Sequence, residues 1–374
     1  MNKYILTVFL IITALFNLSA QSEVEQDSIQ TLIEKGIEHH DAREYKQAIE
    51  NYKEALKIDS NSMFATYEMA LSYLALRDYK NASLYSTKVI ESKDKDLLVG
   101  AYGVKGESLA EMGKVDEAIR LLEKALRENG SDYYLHFNLA LNYFNKGDLD
   151  KTILQADKAL GLNKSQSGAY LLLAYALNDK QIWVQSILSF HIFLLMEPDS
   201  HRSKNAFEEM LQLMQVKESS EEPVERSFIQ QQLQRKIHPK DSVTEKNVPS
   251  LTPMHGINRE LVYRSIESTK DSLKAIPQDT IQKDSLENNL YTTFKEVTRT
   301  LFTVLSEEND GTKNEFIWNF HIPIITKILN SPYFDTYCRY ISVAYFPESL
   351  EWWENNQDSA AKFVRWFEKG DEDE

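Results

Sequence analysis

Cys338 is the only cysteine in the chain, and His321 stands seventeen residues before it. A thiol beside an imidazole could act as a nucleophile with its base. Separation along a chain says nothing about contact, however, and the surrounding "YCRYISVAYF" is apolar. Such a setting raises a thiol's pKa instead of activating it, so a buried structural cysteine is expected. His39 and His40, followed by Asp41, have the residue types of a metal site. Neighbours on a helix point apart, and these fall at a helix end where histidine is comfortable in solvent. "GAYGVKGES", residues 100–108, holds three glycines and a lysine but lacks the spacing of a phosphate-binding loop. Trp352 and Trp353 could stack on a sugar ring, although a place in a core or at a helix end is the plainer expectation. The chain is therefore read as not an enzyme, with no catalytic residue, no metal and no cofactor.

What must position these residues begins with the whole chain. With one cysteine no intramolecular disulfide can form, and a thiolate zinc site lacks its ligands. At 374 residues, 42% hydrophobic and 26% charged, the composition is that of a folded protein of two or three domains. The net charge of −15 would repel phosphates, so nucleic acid is not expected as a partner. Residues 1–20 read as an export signal: Lys3 gives a positive start, Tyr4 to Phe16 is apolar, and Leu18-Ser19-Ala20 is a small-residue cleavage site. The apolar run is shorter than the roughly 20 residues that span a bilayer, so no stable membrane span is expected after cleavage. The mature chain is expected in the periplasm or the extracellular space.

A regular echo follows. Ala48, Ala82, Ala118, Thr152 and Ser186 are spaced by 34, 36, 34 and 34 residues. Twelve residues before each stand Gly36, Ala70, Gly106, Ala140 and Ala174, all small. Such a period with small residues at fixed offsets predicts stacked pairs of helices, the small residues letting the two backbones approach. Tyr45, Tyr79, Val115, Leu149 and Trp183 share one place at the corner of each pair, and Gly113 and Gly147 suit the left-handed turn there.

"NLALNYFNKGDLDKTI" in the fourth unit, Tyr133 to Gln166, is close to the tetratricopeptide repeat consensus, and the first and third units match well. The chain resembles a tetratricopeptide repeat protein over about residues 28–200. Ser86, Val89, Ser186, Phe190 and Phe193 depart from the family pattern in the second and fifth units. The resemblance implies a helical solenoid of about five helix pairs with a capping helix; the residue pattern beyond it, read by itself, adds a small aromatic-rich helical domain, so the fold expected is all-α. The solenoid with its cap is placed at 21–216, "RSKNAFEEMLQLMQV" being the cap.

The resemblance also implies a concave wall lined by the first helix of each pair. Its lining here would be Phe64, Tyr67 and Leu71, then Glu107 and Glu111, then Tyr134, Phe137, Leu141 and Phe144, and last Leu171 and Tyr175. Gly100 and Gly103, with the two glutamates, would leave a shallow acidic notch between aromatic neighbours. Some family members clamp a C-terminal carboxylate with Lys, Asn and Arg at places that here include Ile33, Ile37, Tyr67 and Gly103, so that clamp is missing. The expected partner is another protein, presenting an extended or helical segment with an apolar or basic stripe. Aromatics at helical spacing serve equally well as core, and the chain's own tail could cover them.

Beyond the solenoid, 217–256 reads as a linker, with Pro223, Pro239, Pro249 and Pro253 among polar residues. Residues 257–370 read as a helical domain. Leu261, Ile266 and Leu273 mark one stripe, and Leu286, Leu290, Phe294, Val297 and Leu301 mark another. Fourteen Phe, Tyr and Trp fall within 316–367, with helix breaks expected near Pro323, Pro332 and Pro347. Residues 371–374 form an acidic tail. The function expected is an exported interaction scaffold or adaptor in a cell-envelope assembly. The alternative is a cell-surface glycan-binding protein, since some exported helical-repeat proteins are carbohydrate receptors; an enzyme in the C-terminal region is a third reading.

Overall fold

The computed structural model describes residues 26–217, 256–275, 286–309, 311 and 317–369. The expected signal, most of the linker and the acidic tail lie outside the described residues. What is described is helical. Helix α1 covers residues 26–41, followed by α2 (Tyr45–Ile58), α3 (Met63–Ala75), α4 (Tyr79–Ser92), α5 (Lys95–Glu111) and α6 (Val115–Asn129). Next come α7 (Tyr133–Lys146), α8 (Leu149–Leu162), α9 (Ser167–Asp179), α10 (Trp183–Met196) and α11 (His201–Leu213). Beyond them lie α12 (Arg259–Lys274), α13 (Leu286–Glu307), a π-helical turn (Ile317–His321), α14 (Ile322–Leu329), α15 (Phe334–Ile341), α16 (Pro347–Asn355) and α17 (Gln357–Lys369).

The period of the sequence becomes five helical hairpins. All ten small positions, from Gly36 and Ala48 to Ala174 and Ser186, are buried. Close approach is the reason. A Cβ on Gly36 would lie 2.3 Å from Tyr52 Cε1, and one on Gly106 would lie 3.2 Å from Leu122 Cδ1. In the fifth hairpin, which departs from the family pattern, Ser186 Oγ donates to the Ala174 carbonyl at 2.8 Å and joins the two helices directly.

Each first helix ends in the same way. Arg43, Arg77, Gly113, Gly147 and Gln181 have φ of 62°, 60°, 78°, 81° and 59°. The amide after each donates to a carbonyl five residues back, as in Asp78 to Tyr73 (2.9 Å) and Lys114 to Leu109 (2.8 Å). This is the Schellman closure, which satisfies carbonyls that the helix end leaves open. Capping helix α11 closes identically at Gln215 (φ 56°), with Val216 N donating to Leu211 O at 3.0 Å. It therefore stands in phase as the first helix of a sixth pair. Side-chain caps from Ser62, Asp78, Asp148 and Ser200 fix other helix starts.

The chain forms two compact units, one ending at Asn142 and the other beginning at Tyr143. In the first, Ile33, Ile49, Tyr52 and Met69 form a core with Ala48, Ala55 and Ala65. In the second, the C-terminal helices share one unit with the fifth hairpin and its cap, although the sequence suggests a domain of their own at 257–370. The cause is α10, buried at every position from Trp183 to Leu195. A helix apolar all round must be covered all round. Helices α9 and α11 cover part of it, and α15 and the π-helical turn also pack on it. His191 lies 2.8 Å from Tyr337 Oη and packs edge-on against Phe302. Phe207 of α11 meets Phe294, Tyr345 and Phe346.

Pro323 and Pro347 stand in the first turns of α14 and α16, and Pro332 falls between α14 and α15, as the breaks predict. On α12 the stripe differs. Leu261 is exposed, and the buried line is Arg259, Val262 and Ile266, with the Arg259 guanidinium donating to the Gln181 carbonyl at 3.1 Å. A buried arginine at the head of the stripe hides it from an apolar reading.

Candidate functional site

In the first unit the expected lining is exposed at two places and half-buried at five. Phe64 is 45% exposed and Tyr134 is 55% exposed, both high values for large aromatics among the described residues. Tyr67, Leu71, Phe137, Glu107 and Glu111 are half-buried. Phe64 and Tyr134 hold the same place in the second and fourth pairs, and Gly100 holds it in the third. Tyr133 stacks on Phe137 at 5.8 Å and meets Tyr134 edge-on at 5.1 Å, which fixes that ring cluster.

The glycines of α5 do not leave a notch. The Tyr67 hydroxyl lies 2.3 Å from where a Cβ on Gly100 would stand, and Asn138 Nδ2 lies 3.3 Å from that of Gly103. Tyr67, Asn138 and Leu122 thus seat on the three glycines of "GAYGVKGES" from three sides. That run is the interior of a helix and has no loop to cradle a phosphate. Glu107 remains at the half-buried floor beyond the seats. Burial pushes its carboxyl above the usual range, and neighbouring Glu111 adds to the rise. Glu111 in turn bonds Tyr79. Glu68, four residues after Phe64, is raised likewise by burial and then by Asp41.

Four expected wall residues are not surface. Leu141 is buried in the first unit, and Phe144, Leu171 and Tyr175 are buried in the second. Tyr175 packs edge-on against Phe190 at 5.4 Å, and its neighbour Tyr170 stacks on Phe320 at 6.0 Å and meets His321. The fifth pair is thus covered by C-terminal aromatics. The signal for this is in the sequence: "WVQSILSFHIFLLM" has no charged residue to give to solvent.

The chemical candidates are placed plainly. Cys338 is fully buried and its thiol is pushed up, by burial first and Asp335 next, so it stays protonated. His321 is also buried, and burial holds its imidazole down to about 3. His39 reaches Glu44 at 2.6 Å, whereas His40 is not solvated as expected: its Nδ1 lies 2.7 Å from Ser72 of the next pair. No group of three His, Cys, Asp or Glu that could hold a metal is found among the described residues. Trp352 and Trp353 are half-buried; Arg339 stacks over the first, and the second leans on Tyr340.

Family models described as tetratricopeptide repeat match residues 29–62 and 104–167, the first, third and fourth pairs. The chain carries tetratricopeptide repeats. A relative from Methanocaldococcus jannaschii, the TPR repeat-containing protein MJ1428, is 31% identical over 118 residues, 32% of this chain and 20% of the relative. The chain thus spans about a fifth of that relative's length. Among solved structures, a thermophilic TPR protein of Thermus thermophilus, TTC0263, is 18% identical with a TM-score of 0.43, covering 50% of this chain and 100% of its own. PilF of Pseudomonas aeruginosa is 19% identical with a TM-score of 0.43, covering 51% and 86%. Tetratricopeptide repeats are a protein–protein interaction scaffold, binding other proteins or peptides, and the families that carry them are generally not enzymes. No helix among the described residues is long and apolar enough to cross a membrane.

Proposed function

We propose that this protein is an exported interaction scaffold, and that the first helices of its second to fourth pairs hold a segment of a partner protein in a cell-envelope assembly. The observation that supports this most is the exposure of Phe64 and Tyr134 at the same place in alternate tetratricopeptide repeats. Burying two such rings contributes roughly 3–6 kcal/mol gross, which offsets part of the association cost and leaves the rest to the surrounding surface. Tyr67, Leu71, Phe137, Glu107 and Glu111 would form the remainder of the surface. The charged start, apolar run and small-residue site of residues 1–20 support export.

The test is a direct binding measurement with the partner, once isolated by crosslinking in the native cell. Phe64→Ser with Tyr134→Ser should weaken binding by about 100-fold, at roughly 1.5 kcal/mol or somewhat less per ring. Binding unchanged by the pair, with the fold intact by circular dichroism, would refute the assignment. Export is checked by N-terminal sequencing of the protein from cell fractions, with Gln21 the expected first residue.

A further inference from the structure

Two sets of acidic side chains in the first unit contrast. On the second helices of the pairs they stand beside lysines: Glu50 with Lys53, Glu54 with Lys57, Glu117 with Lys114 and Glu128 with Lys124. On the first helices, Glu68 of α3 and Glu107 of α5 have no basic partner among the described residues. Each is half-buried, and each is raised by burial first and by another carboxylate next, Asp41 for Glu68 and Glu111 for Glu107. The two helices pack side by side. Glu68 follows exposed Phe64 by one helical turn, on the same stripe. Glu107 follows Gly103 by one turn, on the line where Asn138 is seated.

A ring and a carboxylate on one stripe, with a second carboxylate on the adjoining helix, suit a side chain with an aliphatic stem and a cationic head. The stem lies on the ring and the head reaches the carboxylate. Resting on the scaffold reading above, we propose that this surface selects partner segments carrying lysine or arginine beside an apolar or aromatic residue. An acidic segment adds like charge to a wall that already repels itself, so the same carboxylates reject it. The cation also relieves the repulsion that Glu68 and Glu107 sustain in the free protein.

The test uses the full chain and two labelled synthetic peptides, one of repeated Ala-Phe-Lys-Ala and one of repeated Ala-Phe-Glu-Ala, read by fluorescence anisotropy. The lysine peptide should bind about tenfold more tightly or better in low salt, with the margin shrinking as salt screens it. Glu68→Gln with Glu107→Gln should bring the two peptides within about threefold of each other. Glu54→Gln with Glu128→Gln removes the same net charge from the second helices and should leave the preference intact. If that control pair erases the preference as well, net charge governs and the proposal is overturned. It is overturned too if the glutamate peptide binds as tightly as the lysine peptide. In that case Phe64→Ser with Tyr134→Ser separates the two readings. Loss of binding to both peptides keeps the scaffold and discards the cation selectivity, whereas no effect removes the scaffold surface as well.

Discussion

Gly36 and Gly106 hold one place in two repeats, yet the atoms opposite them differ in how far they can give. The neighbour of Gly36 is the Tyr52 ring, fully buried in the core of the first unit. The neighbour of Gly106 is the end of the Leu122 side chain, which turns about two bonds. Alanine improves helix propensity by about 1 kcal/mol at either position. Gly36→Ala should nevertheless destabilise by about 1–2 kcal/mol, because the ring has no free volume to enter. Gly106→Ala should be neutral within about 0.5 kcal/mol or stabilising. Urea unfolding of the two variants, followed by far-ultraviolet circular dichroism, distinguishes them. A sequence can reveal that a small residue is needed at these places, because they repeat. Which glycines seat a neighbour and which open to solvent is decided by residues far along the chain. Gly100 and Gly103 read as a notch until Tyr67 and Asn138 are seen lying over them.

At the scale of elements, the pairs and their corners are legible because local chemistry repeats every turn of the array. The left-handed corner falls on glycine twice and on Arg43, Arg77 and Gln181 otherwise, so spacing locates it where residue type does not. Covering of the fifth pair is less legible, since its aromatic partners Phe302, Phe320 and Tyr337 come from beyond residue 290. Helix α10 carries that information as a mainly apolar surface without a charged residue, in which Gln185, Ser186, Ser189 and His191 are the polar members. His191 and His321 are both buried, and burial holds each imidazole down to about 3. In the unfolded chain they protonate near pH 6.5. Between about pH 6.5 and 3 the unfolded state therefore binds more protons, and stability rises with pH across that window. Lowering pH from 7 to 5 should cost about 2 kcal/mol for each histidine. His191→Gln with His321→Gln should remove most of that slope, measured by urea unfolding at the two values. A slope unchanged in the double variant would contradict the burial assigned to them.

The whole molecule divides its work between its two compact units. All five tryptophans belong to the second unit, so indole fluorescence follows that unit alone and is the natural probe for the histidine slope. The exposed aromatics assigned to partner binding, Phe64 and Tyr134, belong to the first unit. Partner binding is thus expected to leave the indole signal unchanged while altering tyrosine signals. The claim on which the account turns is that these two rings face the partner. Photo-crosslinking in the native cell tests it most directly, with benzoylphenylalanine in place of Phe64 or Tyr134, and as controls in place of Leu84 or Leu154, exposed leucines on α4 and α8. The account predicts an adduct with one and the same protein from positions 64 and 134, and none from 84 or 154. Adducts confined to the two leucine positions, or absent from all four, would contradict it.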